Sequence, residues 1–114
     1  MSRPLDRVQQ TVSGTPGTGN VTLGTAVAGY QTFAQANAAV GDVVPYLITD
    51  VGNGFEFGWG TLTGLTTLVR TTILGSSNSG AAITATSAAI VTSPLLAEDL
   101  VALPVFNNKF FGGI

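Results

Sequence analysis

The chain has neither cysteine nor histidine among its 114 residues. The first absence excludes disulfides and thiolate metal sites. The second removes imidazole ligands, the Ser-His-Asp triad and the side chain that most often acts as a general base near neutral pH. Charge is scarce as well, with 4 Lys and Arg and 6 Asp and Glu, together 9% of the chain. A soluble domain ordinarily carries about a quarter, so a surface this poor in charge suits a protein covered in part by other protein. The four cations, Arg3, Arg7, Arg70 and Lys109, are scattered and the net charge is −2, which disfavours nucleic acid as a partner. No long apolar run occurs either: "AAITATSAAIVTSPLLA" is broken by Thr, Ser and Pro, and no membrane span is expected. The opening "MSRPLDRVQQ" has arginines but not the apolar core of a secretory signal, so synthesis in the cytosol is expected.

What is present is apolar and small. Hydrophobic residues make up 45% of the chain and glycine supplies 15 positions, in a length that suits a single domain. Arg7–Val12, "RVQQTV", alternates Val8 and Val12 with polar neighbours and reads as a first strand. A Gly-, Pro- and Ser-rich loop follows, then the extended "VTL" from Val21. From Tyr30 the period changes to i, i+3, i+4, with Thr32 as N-cap and Gly41 as stop, which predicts one short helix. "VVPYLIT" from Val43 reads as a strand, with Pro45 near its start or on an edge.

Asn53-Gly54 between two β-prone runs predicts a hairpin with a type I′ turn. Beyond it "FEFGWGTL" alternates strictly, which places Phe55, Phe57 and Trp59 on one face and Glu56, Gly58, Gly60 and Leu62 on the other. Large rings on one side predict that Phe55, Phe57 and Trp59 form the core, while Gly58 and Gly60 admit a neighbouring chain closely. "TTLVRTTIL" and "AAIVTS" complete the pattern. The fold class is mostly β: a small antiparallel β-sandwich or open barrel of about six strands with one short helix.

The chemistry-bearing residues are few. The glycines at 52, 54, 58 and 60 lack the Lys and the following helix of a phosphate loop, and serve turns and strands. Six carboxylates, Asp6, Asp42, Asp50, Glu56, Glu98 and Asp99, show no calcium-loop spacing and read as surface charge, and Arg70 is placed to pair with Glu56 across a sheet. No catalytic, metal or cofactor site is expected, and no small-molecule substrate is evident. Division of the chain at 96 gives a β-rich domain, 1–96, and a C-terminal tail, 97–114. In that tail Pro104, Phe106, Phe110 and Phe111 are candidate interface residues, since three aromatics on a free end would be adhesive.

In order along the chain, "VQQTV", "GTG", "GYQTF", "YLITD", "NGFEFG" and "RTTILGSSNSGAAI" resemble a small β-rich domain of tailed-bacteriophage and prophage structural proteins, over roughly Asp6 to Leu96. The resemblance implies a non-enzymatic virion protein of the tail-fibre attachment, head-fibre, spike or decoration type. Its expected partners are further copies of itself and other capsid or tail proteins, and its expected location is the virion, after synthesis in the bacterial host cytoplasm. A carbohydrate- or receptor-binding module using the loops and the aromatic strand is the alternative.

Overall fold

A computed structural model describes residues 6–94 of the chain. Six strands follow the extended patterns of the sequence: β1 Gln9–Val12, β2 Val21–Ala26, β3 Val43–Asp50, β4 Gly54–Gly64, β5 Thr67–Ser76 and β6 Ile90–Thr92. They pair antiparallel in the order β1-β2-β5-β4-β3-β6 and close into a barrel. Closure is the departure from the expected sandwich or open barrel. It depends on the short β6, in which Thr92 lies opposite both Gln9 of β1 and Leu47 of β3. Pro45 is compatible with closure because β6 pairs with β3 only over Leu47–Thr49, so the missing proline N–H faces no ladder on that side.

The alternating strand directions put the connections 13–20, 51–53 and 77–89 at one end of the barrel, and 27–42 and 65–66 at the other. Both long connections turn inward and plug the lumen. Phe33 enters from 27–42, and Ile83, Ala85 and Ala89 enter from 77–89, all fully or nearly fully buried. Inside they meet Val21, Leu23, Val44, Tyr46, Ile48, Leu62, Leu68 and Val91 of the strands. Full burial of one such ring or branched chain stabilises the fold by roughly 1.5–3 kcal/mol.

The expected helix is absent. The start signal works: Gln35 N–H donates to Thr32 Oγ1 at 3.0 Å, and Thr32 N–H donates to Gln35 Oε1 at 2.9 Å, a reciprocal capping box. The stop comes at once, because Asn37 adopts φ 69° and Ala38 N–H returns to the Phe33 carbonyl at 3.0 Å. That is the geometry of a helix C-terminus, reached after a single turn. The turn is also tied down from outside, since Phe33 N–H donates to Gln10 Oε1 at 2.8 Å. Its period therefore serves to deliver Phe33 into the barrel.

Candidate functional site: an uncharged aromatic wall around a buried ion pair

β4 keeps the expected alternation but with its faces exchanged. Glu56, Gly58, Gly60 and Leu62 point inward and are buried, while Phe55 is 44% exposed and Phe57 and Trp59 are half-buried on the outside. The reading of these three aromatics as core is corrected. Space is the physical reason. A six-stranded barrel has a narrow lumen, already occupied by Tyr46 and the two plugs, and rings from β4 would compete for it. Glycine inside also allows β5 to approach: a Cβ on Gly58 would collide with the Thr72 carbonyl, and one on Gly60 would lie 2.6 Å from Leu68 Cδ1.

The hairpin forms where expected, with a different turn. Asn53 N–H donates to the Asp50 carbonyl at 3.0 Å, which makes Val51-Gly52 the central pair, with Gly52 at φ 91°. Positive φ at the second central residue alone is the type II pattern, so the expected type I′ turn at Asn53-Gly54 is corrected. Gly54, at φ 106°, opens β4 opposite Asp50. The carboxylate of Asp50 is 2% exposed and accepts from Thr86 N–H at 2.6 Å, Thr86 Oγ1 at 2.9 Å and Asn53 Nδ2 at 3.1 Å. Burial pushes this carboxyl up, the donors from Thr86 and Asn53 pull it down, and the donors prevail, so its pKa lies below the ordinary 3.8.

On the outer wall Phe55 and Phe57 stack at 6.3 Å between centroids, 8° from parallel. Leu47 lies opposite Phe57, Thr49 opposite Phe55 and Val43 opposite Thr61, while Pro45 faces Trp59. Phe57 lies across Gly75 of β5, where a Cβ would sit 2.5 Å from its ring. The indole N–H of Trp59 is buried and has no hydrogen-bond partner among the described residues.

The charges are inside. Asp50, Glu56 and Arg70 are the ionisable acids and base carried by the strands, and the first two are buried while the side chain of the third is 3% exposed. Glu56 Oε2 accepts from Tyr46 Oη at 2.6 Å and faces Arg70 Nε at 3.5 Å, an ion pair longer than a well-formed hydrogen bond. Glu56 Oε1 accepts from Ile83 N–H at 3.0 Å, and Arg70 Nη1 donates to the Ile83 carbonyl at 3.1 Å. The pair thus clamps both sides of one residue of the 77–89 plug. Burial, then the hydrogen bond and negative charge of Glu56, push the Tyr46 phenol far above its ordinary pKa of 10.0, so it stays neutral as the donor. The expected Glu56–Arg70 pairing is present, as an interior clamp rather than a surface contact. Its placement was legible in the parity of the strands, since Glu56 shares a face with Leu62, and Arg70 with Leu68.

An open depression of about 300 Å³ lies beside the clamp at the same end, lined by Gly52, Asn53, Ser77, Asn78, Ile83 and Thr84. Ser77 Oγ accepts from Phe55 N–H at 3.0 Å and so joins this polar hollow to the aromatic wall. No group of three or more His, Cys, Asp or Glu that could hold a metal occurs among the described residues. Pro104, Phe106, Phe110 and Phe111, like Glu98 and Asp99, lie outside the described residues. Compared with protein-family models, curated proteins and solved structures, the chain matches none of them.

Proposed function

We propose that this chain is a non-enzymatic structural subunit of a tailed phage or phage-like particle, an adaptor, fibre base or decoration component that acts by self-association and by docking on capsid or tail proteins. The observation that carries the reading is the inverted distribution of charge. Every ionisable acid or base on the six strands is turned into the barrel, and the outer wall of β3 and β4 presents Val43, Leu47, Phe55, Phe57 and Trp59. A wall that is apolar and uncharged is suited to contact with other protein. It is poorly suited to lipid: β1, β2 and β6 have 4, 6 and 3 residues, against the roughly 9 to 11 that a strand needs to cross a bilayer. The ordered motifs from "VQQTV" to "RTTILGSSNSGAAI" supply the particle to which such a subunit would belong.

The polar hollow beside exposed Phe55 favours one second reading, a weak saccharide- or receptor-binding module. Mass spectrometry of purified particles from the source genome, with stoichiometry measured against the major capsid protein, tests the first. A fixed integer copy number per particle is expected. Absence of the chain from infectious particles refutes it, and binding of isolated chain to host-surface glycan without incorporation would favour the second.

A further inference from the structure

Asn53 is followed by glycine, and it is the one asparagine of the chain that is. The side-chain amide carbon of an asparagine is open to attack by the backbone nitrogen of the next residue, and a side chain on that residue hinders the approach. Among the described residues Asn20, Asn37 and Asn78 are followed by Val21, Ala38 and Ser79, which all carry a Cβ. Gly54 carries none and sits at φ 106°, while Asn53 is exposed to water on the 51–53 turn. We infer that Asn53 is a site of spontaneous deamidation, and that its conversion to aspartate or isoaspartate loosens the anchor that holds the 77–89 plug in the barrel. The inference is independent of the particle reading.

The reaction needs no partner but water. The Gly54 nitrogen gives its proton to solvent and bonds to Asn53 Cγ; the Cγ–Nδ2 bond breaks, Nδ2 takes up a proton and leaves as ammonia, and a cyclic succinimide remains. Water then adds to either imide carbonyl. Cleavage of the new Cγ–N bond yields aspartate, and cleavage at the original peptide carbonyl yields isoaspartate, whose main chain runs through Cβ and Cγ.

Both products reverse the contact with Asp50. Asn53 Nδ2 donates to Asp50 Oδ1 at 3.1 Å, and Oδ2 of the same buried carboxylate accepts from Thr86 N–H at 2.6 Å and Thr86 Oγ1 at 2.9 Å. Aspartate at position 53 replaces the donor by a second carboxylate, and two like charges within hydrogen-bond distance disfavour each other's ionised form. Isoaspartate adds the same charge and also lengthens the turn between the Asn53 N–H, which donates to the Asp50 carbonyl at 3.0 Å, and Gly54, which pairs with Asp50 across the ladder. Thr86 belongs to the connection that carries Ile83, Ala85 and Ala89 into the lumen. Weakening Asp50 as its acceptor therefore frees one of the two polar anchors of the plug and leaves the other, the Glu56–Arg70 clamp on Ile83, in place.

The experiment ages the full chain, folded, in warm and mildly alkaline buffer. Tandem mass spectrometry with electron-transfer fragmentation locates each gain of about 1 Da and separates aspartate from isoaspartate. Asn53 should convert at least about tenfold faster than Asn20, Asn37 or Asn78, to a mixture of both products, and Asn53→Gln should remove the gain at that position. Amide exchange then reads the consequence, with Asn53→Asp standing for one product and Asn53→Ala for loss of the donor alone. Both variants should stay folded by circular dichroism, and the Thr86 amide should exchange at least about threefold faster in Asn53→Asp than in Asn53→Ala. Should Asn53→Asp not fold, Thr86 exchange in the aged chain against the fresh chain gives the same reading. An Asn53 that stays intact in the folded chain while it converts in the urea-unfolded chain overturns the inference, because the fold then protects the pair. Thr86 exchange no faster with the added charge than with the lost donor severs the site from the plug, which also overturns it.

Discussion

Glu56→Ala is the sharpest test of the interior. The substitution removes the acceptor of Tyr46 Oη and of Ile83 N–H and strands the Arg70 guanidinium, whose side chain is 3% exposed. Breaking a buried ion pair from one side costs about 3–5 kcal/mol, because an uncompensated charge is left in the interior. Arg70 already holds Nε and Nη2 without hydrogen bonds, so it has little capacity to re-pair. A domain of this size has about 5–15 kcal/mol in total, so the loss should take from about a fifth of its stability to nearly all of it. With an m-value of about 1.5 kcal/mol/M in urea, the midpoint should fall by about 2–3 M. Removing the arginine charge as well, in Glu56→Leu/Arg70→Met, should recover a good part of the loss even though more of the network is gone. Amide exchange at Ile83 should accelerate in Glu56→Ala, since that N–H is the clamped one. A midpoint shift below about 0.7 M at unchanged m, or a double variant less stable than the single, would refute the clamp.

Three further outcomes are expected. Asp50 has a folded pKa below its unfolded 3.8, so its contribution is complete above that pH and is lost as pH falls through the lower folded value; acid titration of urea midpoints should show a limb below about pH 4 that Asp50→Asn abolishes. Tyr46 is the opposite case. Its folded pKa is raised, so its contribution is complete below pH 10 and declines above it, and Tyr46→Phe should flatten the alkaline limb of the same titration. Gly54→Val meets two obstacles, φ 106° and a Cβ that would collide with Ser77 Oγ, and should cost more than about 2 kcal/mol by thermal melt, whereas Gly54→Ala costing under about 0.5 kcal/mol would show the turn to be slack.

Local pattern was enough to find the strands, because period-two runs such as "VVPYLIT" and "FEFGWGTL" and the Gly-rich breaks between them need only neighbours in sequence. The parity of β4 was legible too. Which parity faced inward was not, because that depends on what already fills the lumen. Tyr46 and the inward-folded Phe33 and Ile83 come from distant segments, and a rule that large rings go inside has no knowledge of them. The Thr32 start signal operates and the helix still does not form, since the stop at Asn37 uses a left-handed non-glycine residue that sequence weighs lightly. The Glu56–Arg70 partnership was visible as opposite charge on neighbouring strands. Its burial followed only once Leu62 and Leu68 were known to line the interior.

The seam between β1 and β6 has a temporal consequence. Gln9 and Thr92 are 83 residues apart, and their hydrogen bond belongs to the last ladder that closes the barrel. At a synthesis rate of about 5–20 residues per second, β1 emerges roughly 4–16 s before the strand that will cover its free side. For that interval the nascent chain is an open curved sheet with a row of unsatisfied N–H and C=O groups on each of its two edges, β1 and β3, the configuration most prone to pair with a neighbouring copy. Folding of this chain is therefore slow for its size by topology and most vulnerable to aggregation on crowded polysomes, until Ile90–Thr92 arrives and the seam shuts.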